Sequence, residues 1–137
     1  MAHPYHHALS SVRRWGGVVE DYVAIHNWFD ESKAFLADYR HRALRHHAEG
    51  IYLAERLFGT TLTLTGGKVI PVRWVGEQHV REDVGRIPTA CEWLRCIRPE
   101  AWMGNRAERL SETAGELHEP AQTVRHDGAG SPTTDPG

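Results

Sequence analysis

The spacing of apolar residues at the start of the chain predicts two short helices. The first carries an apolar stripe from Tyr5 to Trp15, begins at a proline suited to a first helical turn, and ends at the glycine pair at 16–17. The second has apolar residues at helical spacing from Val18 to Phe29. Each stripe is expected to face a common core, because a helix with one apolar side buries that side.

A third helix, the longest, is predicted to follow directly. Asp30 is a suitable N-cap for this helix, and Gly59 is placed to end it as a C-terminal cap. Between these two residues, one face of the helix carries a stripe formed by Leu36, Tyr39, Ala43, His47, Gly50, Ala54 and Leu57.

The pattern changes from helical to alternating spacing at Thr60. TTLTLT and KVIPVRWV flank the glycine pair at 66–67, which predicts a β-hairpin with a two-residue turn. Pro71 lacks a backbone N–H, so its strand is expected at an edge or with a bulge. GEQHVREDVG then predicts a loop with a short helical turn, and Thr89 followed by Glu92 is the capping box of a last helix.

Together these elements predict a mostly helical α+β fold with three to four helices and one two-stranded hairpin. Residues 1–103 are expected to form one globular domain. Residues 104–137 carry 3 basic against 6 acidic residues and end in a stretch rich in Gly, Pro, Ser and Thr, so we expect a disordered acidic tail. The formal net charge of −2 is no general footprint of nucleic-acid binding.

The sequence also predicts the compartment. It has no apolar run of roughly 18 residues and no signal-peptide pattern at its start, so we expect a cytoplasmic protein with no membrane partner. Cys91 and Cys96 do not have the CxxC spacing of a zinc knuckle or a redox pair. We expect both to be free thiols, with at least one of them facing the core.

Histidine is concentrated in the first part of the sequence. Eight of the ten histidines precede residue 80, and imidazole is a common ligand of zinc, copper, iron and nickel. We therefore predict a transition-metal site, with zinc as the leading ion and another transition metal as the alternative. The candidate ligands are His6, His7, His26, His41, His46, His47 and His79.

Two spacings favour shared ligation on a helix. His26 and Asp30 are four positions apart, and His46 and Glu49 are three apart. A catalytic zinc site needs three protein ligands, so a distant histidine such as His79 has to complete the set. We expect the hairpin to fold over the longest helix and bring His79 there. The alternative is that the histidines are hydrogen-bonded core residues or solvated surface residues.

The stretch RHRALRHH suggests an anion site beside the metal. Arg42 and Arg45 are the candidates, because the guanidinium fork matches phosphate oxygens, and a solvated helix face is the alternative. Glu49 and Glu77 are candidate catalytic residues. One of the acids of GEQHVREDVG, which are Glu77, Glu82 and Asp83, is expected to act as a general base or to orient a ligating histidine, and the alternative is that they solvate a short helix. A metal beside arginines suits a phosphoester substrate.

Five segments, HPYHHALSS, IHNWFDESK, RHRALRHHAEGI, GEQHVREDVG and IPTACEWL, resemble a small uncharacterised family of His-rich hypothetical proteins from bacteria and phages. The resemblance covers about residues 3–103, and RHRALRHHAEGI and GEQHVREDVG are its more specific pieces. It implies a bacterial or phage origin and a native histidine pattern, and it implies no catalytic role.

These patterns lead to two hypotheses about function. The first is a metal-binding domain, with zinc as the ion, that acts as a metal-dependent hydrolase on a phosphoester. The second is a non-catalytic interaction module that docks on a host protein or a nucleic acid. In that case the histidines would be structural or would switch with pH.

Overall fold

A computed structural model describes residues 3–104, and the chain divides into two units between Cys96 and Ile97. The described part of the second unit contains a 3-10 turn at Ala101–Met103. The first unit contains α1 (Pro4–Trp15), α2 (Val19–Asp30), α3 (Arg42–Arg45), α4 (Ala48–Phe58), β1 (Thr61–Thr63), β2 (Val69–Pro71), α5 (Val72–Val84) and α6 (Ala90–Leu94).

The fold class is the predicted one, mostly helical with one two-stranded antiparallel sheet. Residues 3–104 contain six α-helices, which is more than the three to four that were predicted. The predicted tail lies, from residue 105 onward, outside the described residues. Its disorder and the domain boundary at residue 103 therefore stay predictions.

The first two helices follow the sequence prediction. α1 ends at Gly16, and α1 packs along α2. Tyr22 of α2 stabilises the turn between α1 and α2, because its hydroxyl donates a hydrogen bond to the Gly16 carbonyl at 2.7 Å. The pairing stacks the rings of His7 and His26, whose centroids are 5.4 Å apart.

The prediction of one long third helix is wrong, because the chain breaks into short pieces after α2. Two 3-10 turns occupy Glu31–Ala34 and Tyr39–His41, and the backbone turns again between α3 and α4. His47 ends that last break, because its Nδ1 accepts a hydrogen bond from the Gly50 amide at 2.9 Å and so caps α4. Asp30 is not an N-cap, since it is the last residue of α2 and its side chain bonds no amide of the following turn.

The hairpin is shorter than predicted, and a helix replaces the second half of its second strand. β1 and β2 pair antiparallel, and residues 64–68 join them, so the connection is longer than a two-residue turn. β2 ends at Pro71 and α5 starts at Val72, so GEQHVREDVG is helical up to Gly85 and the predicted loop is wrong. The buried face of α5 mixes apolar and polar residues: Val72, Val75, Gly76, Gln78, His79 and Val80.

An apolar core lies directly beside the buried histidines. Tyr22 and Phe29 of α2 and Val75 and Val80 of α5 are fully buried in it. Phe29 stacks on His79, with ring centroids 5.0 Å apart. The core therefore forms one wall of the histidine cluster and excludes water from that side.

The C-terminal part of the first unit contains α6 and the two cysteines. α6 begins at the predicted capping box, where the Thr89 hydroxyl accepts a hydrogen bond from the Glu92 amide at 3.2 Å. Cys91 and Cys96 are free thiols as predicted, but both are exposed, so the expectation that one of them faces the core is wrong. No helix among residues 3–104 has the length and apolarity needed to span a bilayer.

Asp21 joins the start of α2 to the hairpin loop. Its Oδ2 accepts hydrogen bonds from the amides of Thr65 and Val18, each at 2.9 Å, and its Oδ1 accepts one from the Thr65 hydroxyl at 2.8 Å. These bonds, led by the one from the Thr65 amide, lower the pKa of Asp21 below its usual value. Ionised Asp21 therefore stabilises the fold above the pKa it has in the unfolded chain, and this stabilisation is lost as the pH falls through the lowered pKa.

Replacing Asp21 with Asn is expected to lower the melting temperature at pH 7 by about 4–8 °C, the equivalent of about 1 kcal/mol. The difference from the wild type should shrink as the pH falls below about 4. Thermal unfolding from pH 7 to pH 3 in a chelator measures it without a contribution from metal. Glu20→Gln, in the same helical turn, is the control that should change little, and a difference from Asp21→Asn that is constant with pH would contradict this role.

Candidate metal centre

Four segments of the first unit direct titratable side chains into one buried cluster. α1 supplies His7, α2 supplies Asp30, and α5 supplies both His79 and Asp83. His46, directly after α3, enters the same space. These five side chains are at most 6 % exposed. Two carboxylates buried together are costly unless positive charge compensates them.

The ligand-type atoms of this cluster have the spacing found around a metal ion. His79 Nε2 lies 3.4 Å from Asp30 Oδ1 and 3.3 Å from Asp83 Oδ2, and His7 Nε2 lies 3.2 Å from Asp83 Oδ1. Two ligands of a tetrahedral zinc, each about 2.05 Å from the ion, are about 3.3 Å from each other. One set whose ligand atoms all lie within 4.8 Å of one another comprises His7, Asp30, His79 and Asp83.

Several of these atoms are buried without a hydrogen-bond partner among residues 3–104. They are His7 Nε2, His79 Nε2 and both carboxylate oxygens of Asp30. Their contacts with one another are close but not aligned as hydrogen bonds. An unpaired buried polar group costs about 1–3 kcal/mol, and more when it is charged. One cation at the centre would compensate all of these atoms together.

A chain of hydrogen bonds determines which ring nitrogen of His79 carries the proton. The Ser11 hydroxyl donates to Gln78 Oε1 at 2.6 Å, so it accepts from His26 Nε2, which is 2.9 Å away. His26 Nδ1 is then the acceptor for His79 Nδ1–H at 3.0 Å. His79 Nε2 is left with a lone pair that faces the two carboxylates. A lone pair beside two carboxylates is the environment of a bound cation.

His7 is oriented by a carboxylate behind it. His7 Nδ1 donates to Glu82 Oε1 at 2.7 Å, and the Ser10 hydroxyl donates to Glu82 Oε2 at 2.6 Å. Metal-ligating histidines usually donate their second N–H in this way. In the absence of metal, burial lowers the pKa of His7, but Asp83 and Glu82 together raise it above its ordinary value. A proton and a metal ion therefore compete for His7 Nε2.

The two carboxylates are ionised at neutral pH. Before a metal binds, burial raises the pKa of Asp30, but His46 and His79 lower it by more when they carry a proton on the nitrogen that faces Asp30, so that it lies below the usual range. A bound cation takes the place of these protons. The same balance between burial and neighbouring histidines lowers the pKa of Asp83. Burial lowers the pKa of His26 to about 2, so that ring is neutral. Carboxylates and neutral imidazole nitrogens form a donor set that zinc and related metals bind.

Helical periodicity places both carboxylates. His79 and Asp83 are four residues apart on α5, as His26 and Asp30 are on α2. Asp83 was predicted as a general base or as a carboxylate that orients a histidine, and not as a ligand. The repeated His-x-x-x-Asp spacing is the signal that could have identified it. Ser11 and Gln78, which orient the rings, have no such signal, since their partners are distant in sequence.

The structure brings together most of the histidines that the sequence singled out. His6 is exposed on α1. His47 lies outside the cluster, since its Nδ1 accepts from the Gly50 amide and its Nε2 donates to the Ala43 carbonyl at 3.1 Å. The remaining five candidates lie in the cluster or against it: His7, His26, His41, His46 and His79. It is α5, and not the hairpin, that carries His79 to the other rings.

The two acids predicted as catalytic bases lie away from the cluster. Glu49 is exposed, and it accepts a hydrogen bond from the Ala90 amide at 2.7 Å. Glu77 faces Arg73, with 3.9 Å between their charged atoms. Each of them therefore has a structural partner of its own.

The two predicted anion-binding arginines differ from each other. Arg45 pairs with Glu31 at 3.0 Å, and its guanidinium lies 4.3 Å from the ring centroid of Trp28. Arg42 Nη2 lies 3.9 Å from Asp83 Oδ1, and Arg42 Nε is buried without a hydrogen-bond partner in the described part of the chain. Arg42 is therefore the arginine that borders the cluster.

A cleft reaches the cluster at Asp30. Its volume is about 400 Å³, and its walls are formed by His3, Pro4, Asn27, Asp30, Glu31 and Lys33. Lys33 Nζ lies 3.8 Å from Asp30 Oδ2, so a positive charge stands where the cleft meets the cluster. An open position beside the ligands distinguishes catalytic metal sites from closed structural ones.

Comparison with known proteins identifies a family and no activity. A family model described as "Domain of unknown function (DUF6915)" matches residues 2–103. No curated protein and no solved structure gives a significant match to the chain. The buried histidine and aspartate cluster falls within the matched residues, so the site belongs to the family domain.

Proposed function

The chain belongs to the DUF6915 family, and since the family's description states no activity, we propose a function from the geometry of the cluster. The domain binds a transition metal, zinc in the first place, through His7, Asp30, His79 and Asp83. It uses the metal to hydrolyse a phosphoester. The observation that carries the proposal is the convergence of unpaired imidazole nitrogens and carboxylate oxygens at the spacing of metal ligands.

The cleft supports a catalytic role for this centre. A bound zinc ion supplies Lewis acidity and lowers the pKa of water, which is the chemistry that ester hydrolysis needs near neutral pH. Asp30 lines the cleft, so a substrate bound there lies next to one of the ligand residues. Lys33 is about one-third exposed beside Asp30 and is placed to hold an anionic phosphoester. Arg42 adds a second positive charge beside Asp83.

A structural metal site is the second candidate, and one observation favours it. The ligand side chains are at most 6 % exposed, and they come from α1, α2 and α5. A metal in that position would hold the three helices together whether or not it performs chemistry. The exposed free thiols of Cys91 and Cys96 suit either role in a reducing compartment such as the cytoplasm.

Elemental analysis of the untagged full-length chain tests the metal. Protein stripped with a chelator and returned to zinc should retain it through gel filtration, and His79→Ala should lose it. His47→Ala is the matched control and should retain it, because His47 caps α4 outside the cluster. Failure of the wild-type chain to retain zinc, manganese or iron would overturn the proposal.

Hydrolysis is tested with p-nitrophenyl phosphate and bis(p-nitrophenyl) phosphate. Lys33→Ala should lower kcat/KM at least about 10-fold, equivalent to about 1.4 kcal/mol, with the metal content unchanged. Lys68→Ala, a lysine of the hairpin loop, is the control and should leave kcat/KM unchanged. Zinc retained without turnover of either ester would assign the centre the structural role.

A further inference from the structure

A second set of ligand-type side chains adjoins the first and shares one residue with it. Asp30, His41 and His46 place ligand atoms within 4.8 Å of one another, and Asp30 also belongs to the set with His7 and His79. We propose that the centre is dinuclear, with a second divalent transition-metal ion held by His41, His46 and a bridging Asp30. This inference rests on the proposed function and specifies the number of metal ions at the hydrolytic site.

Asp30 has the environment of a bridging carboxylate. It is 6 % exposed, and neither of its oxygens has a hydrogen-bond partner among residues 3–104. Its Oδ1 lies 3.4 Å from His79 Nε2 and 3.5 Å from His46 Nε2, so it stands between the two sets. Because one ring of each set approaches the same oxygen, Oδ1 can bridge two ions, while Oδ2 faces Lys33 Nζ at 3.8 Å.

His41 is oriented as a ligand and has no other evident function. Ser32 is buried, and its hydroxyl donates to the His41 carbonyl at 3.2 Å. The same hydroxyl oxygen therefore accepts from His41 Nδ1–H at 2.8 Å. His41 Nε2 is left as a lone pair, fully buried and without a hydrogen-bond partner in the described part of the chain. A serine behind Nδ1 and a free Nε2 in front form the usual arrangement of a metal-ligating histidine.

His46 connects the two sets. Its ring centroid lies 5.3 Å from that of His41 and 5.0 Å from that of His79. The backbone around it is fixed, because Trp93 Nε1 donates to the His46 carbonyl at 3.0 Å. The break between α3 and α4, which interrupts the predicted long helix, is what turns this ring inward. The irregular segment after α2 therefore supplies both histidines of the second position.

Two adjacent ions define the substrate more narrowly than one. Two-metal centres act on phosphoesters by clamping the attacking and the leaving oxygen, with the ions typically about 3.5–4 Å apart. Asp30, whose carboxylate would bridge the ions, also lines the cleft. Two-metal centres also hydrolyse peptides, so it is the dinuclear centre together with the positive charge of Lys33 that favours a phosphoester.

Metal stoichiometry tests this inference separately from the first. The full-length chain, stripped and titrated with zinc alone by calorimetry and checked by elemental analysis, should bind two ions. His41→Ala should bind one. Ser32→Ala removes no ligand and should weaken the second ion's binding by about 10–100-fold, with the first ion unaffected. His47→Ala, the matched control, should bind two.

Manganese(II) gives a second readout that does not depend on activity. The wild-type chain loaded with manganese should show the electron paramagnetic resonance signal of two exchange-coupled ions. His41→Ala should show the signal of an isolated ion. A wild-type chain that binds one ion would overturn the dinuclear centre and leave the proposed function standing, whereas a chain that binds none would overturn both. Two ions retained in His41→Ala would also overturn the second position.

Discussion

Replacing Asp83 with Asn is expected to remove the stabilisation of the fold by the zinc ion that His7 and His79 hold. Asp83 faces three ring nitrogens, those of His7, His46 and His79, at 3.0–3.3 Å. A metal that binds only the folded chain stabilises it by about 4 kcal/mol when its concentration is 1,000 times Kd. For a domain of this size, that is a rise in melting temperature of about 15–30 °C. Asp83→Asn should lose the part of this rise that comes from the ion held by His7 and His79.

The measurement is thermal unfolding in chelator and in excess zinc for each variant. Asp21→Asn is the matched control, because Asp21 bonds the amides of Thr65 and Val18 and is not part of the cluster. It should keep the full effect of zinc on melting temperature. An equal effect of zinc on the wild type and Asp83→Asn would place the bound metal elsewhere.

Replacing Gly50 with Ala is expected to lower the free energy of unfolding by about 3 kcal/mol, or about 12–24 °C in melting temperature. A Cβ at this position would overlap the carbonyl group of Arg45, which is backbone and cannot move aside like a flexible side chain. The Gly50 amide also donates to His47 Nδ1, so a shift of Gly50 disturbs the break between α3 and α4.

Gly76→Ala is the control for Gly50→Ala, and we expect it to lower the free energy of unfolding by less. Its Cβ would lie 3.1 Å from Phe29 Cζ and 3.2 Å from Ile51 Cγ2, and both are side-chain atoms that can shift by a few tenths of an ångström. A loss of about 1 kcal/mol is expected. Denaturant unfolding of both variants in chelator compares the two losses directly. A larger loss for Gly76→Ala would contradict the role given to the Arg45 carbonyl.

The sequence predicted the fold class and the parts of it that follow from local rules. α1, α2 and α6 follow from apolar spacing and capping residues, such as Thr89 with Glu92. α5 was missed because its buried face carries His79, Gln78 and Gly76 among the valines, so apolar spacing understates its helicity. The prediction of a long third helix is wrong for the opposite reason. Its apolar spacing continues through His46 and His47, but the backbone turns at these residues.

The candidate site was predicted in composition but not in geometry. The abundance of histidine pointed to a metal, and the structure contains buried histidine and aspartate groups that could hold one. Which histidines converge depends on how α5 docks against α1 and α2, and no local spacing encodes that docking. His47 resembled a ligand as closely as His46 does, yet it caps a helix. The orienting groups Ser11 and Ser32 act across 15 and 9 positions of sequence, beyond the reach of a helical pattern.

The distance in sequence between His7 and Asp83, which α1 and α5 carry to the same cluster, has a consequence for folding rates. Contacts between the first and last long helices require most of the domain to be ordered first, because closing a long loop costs conformational entropy before any contact repays it. We therefore expect the metal set to become complete only after the folding barrier has been crossed. A ligand that binds after the barrier leaves the folding rate unchanged and slows unfolding. Zinc should accordingly lengthen the lifetime of the folded chain, and with it the resistance to proteases that attack only the opened form.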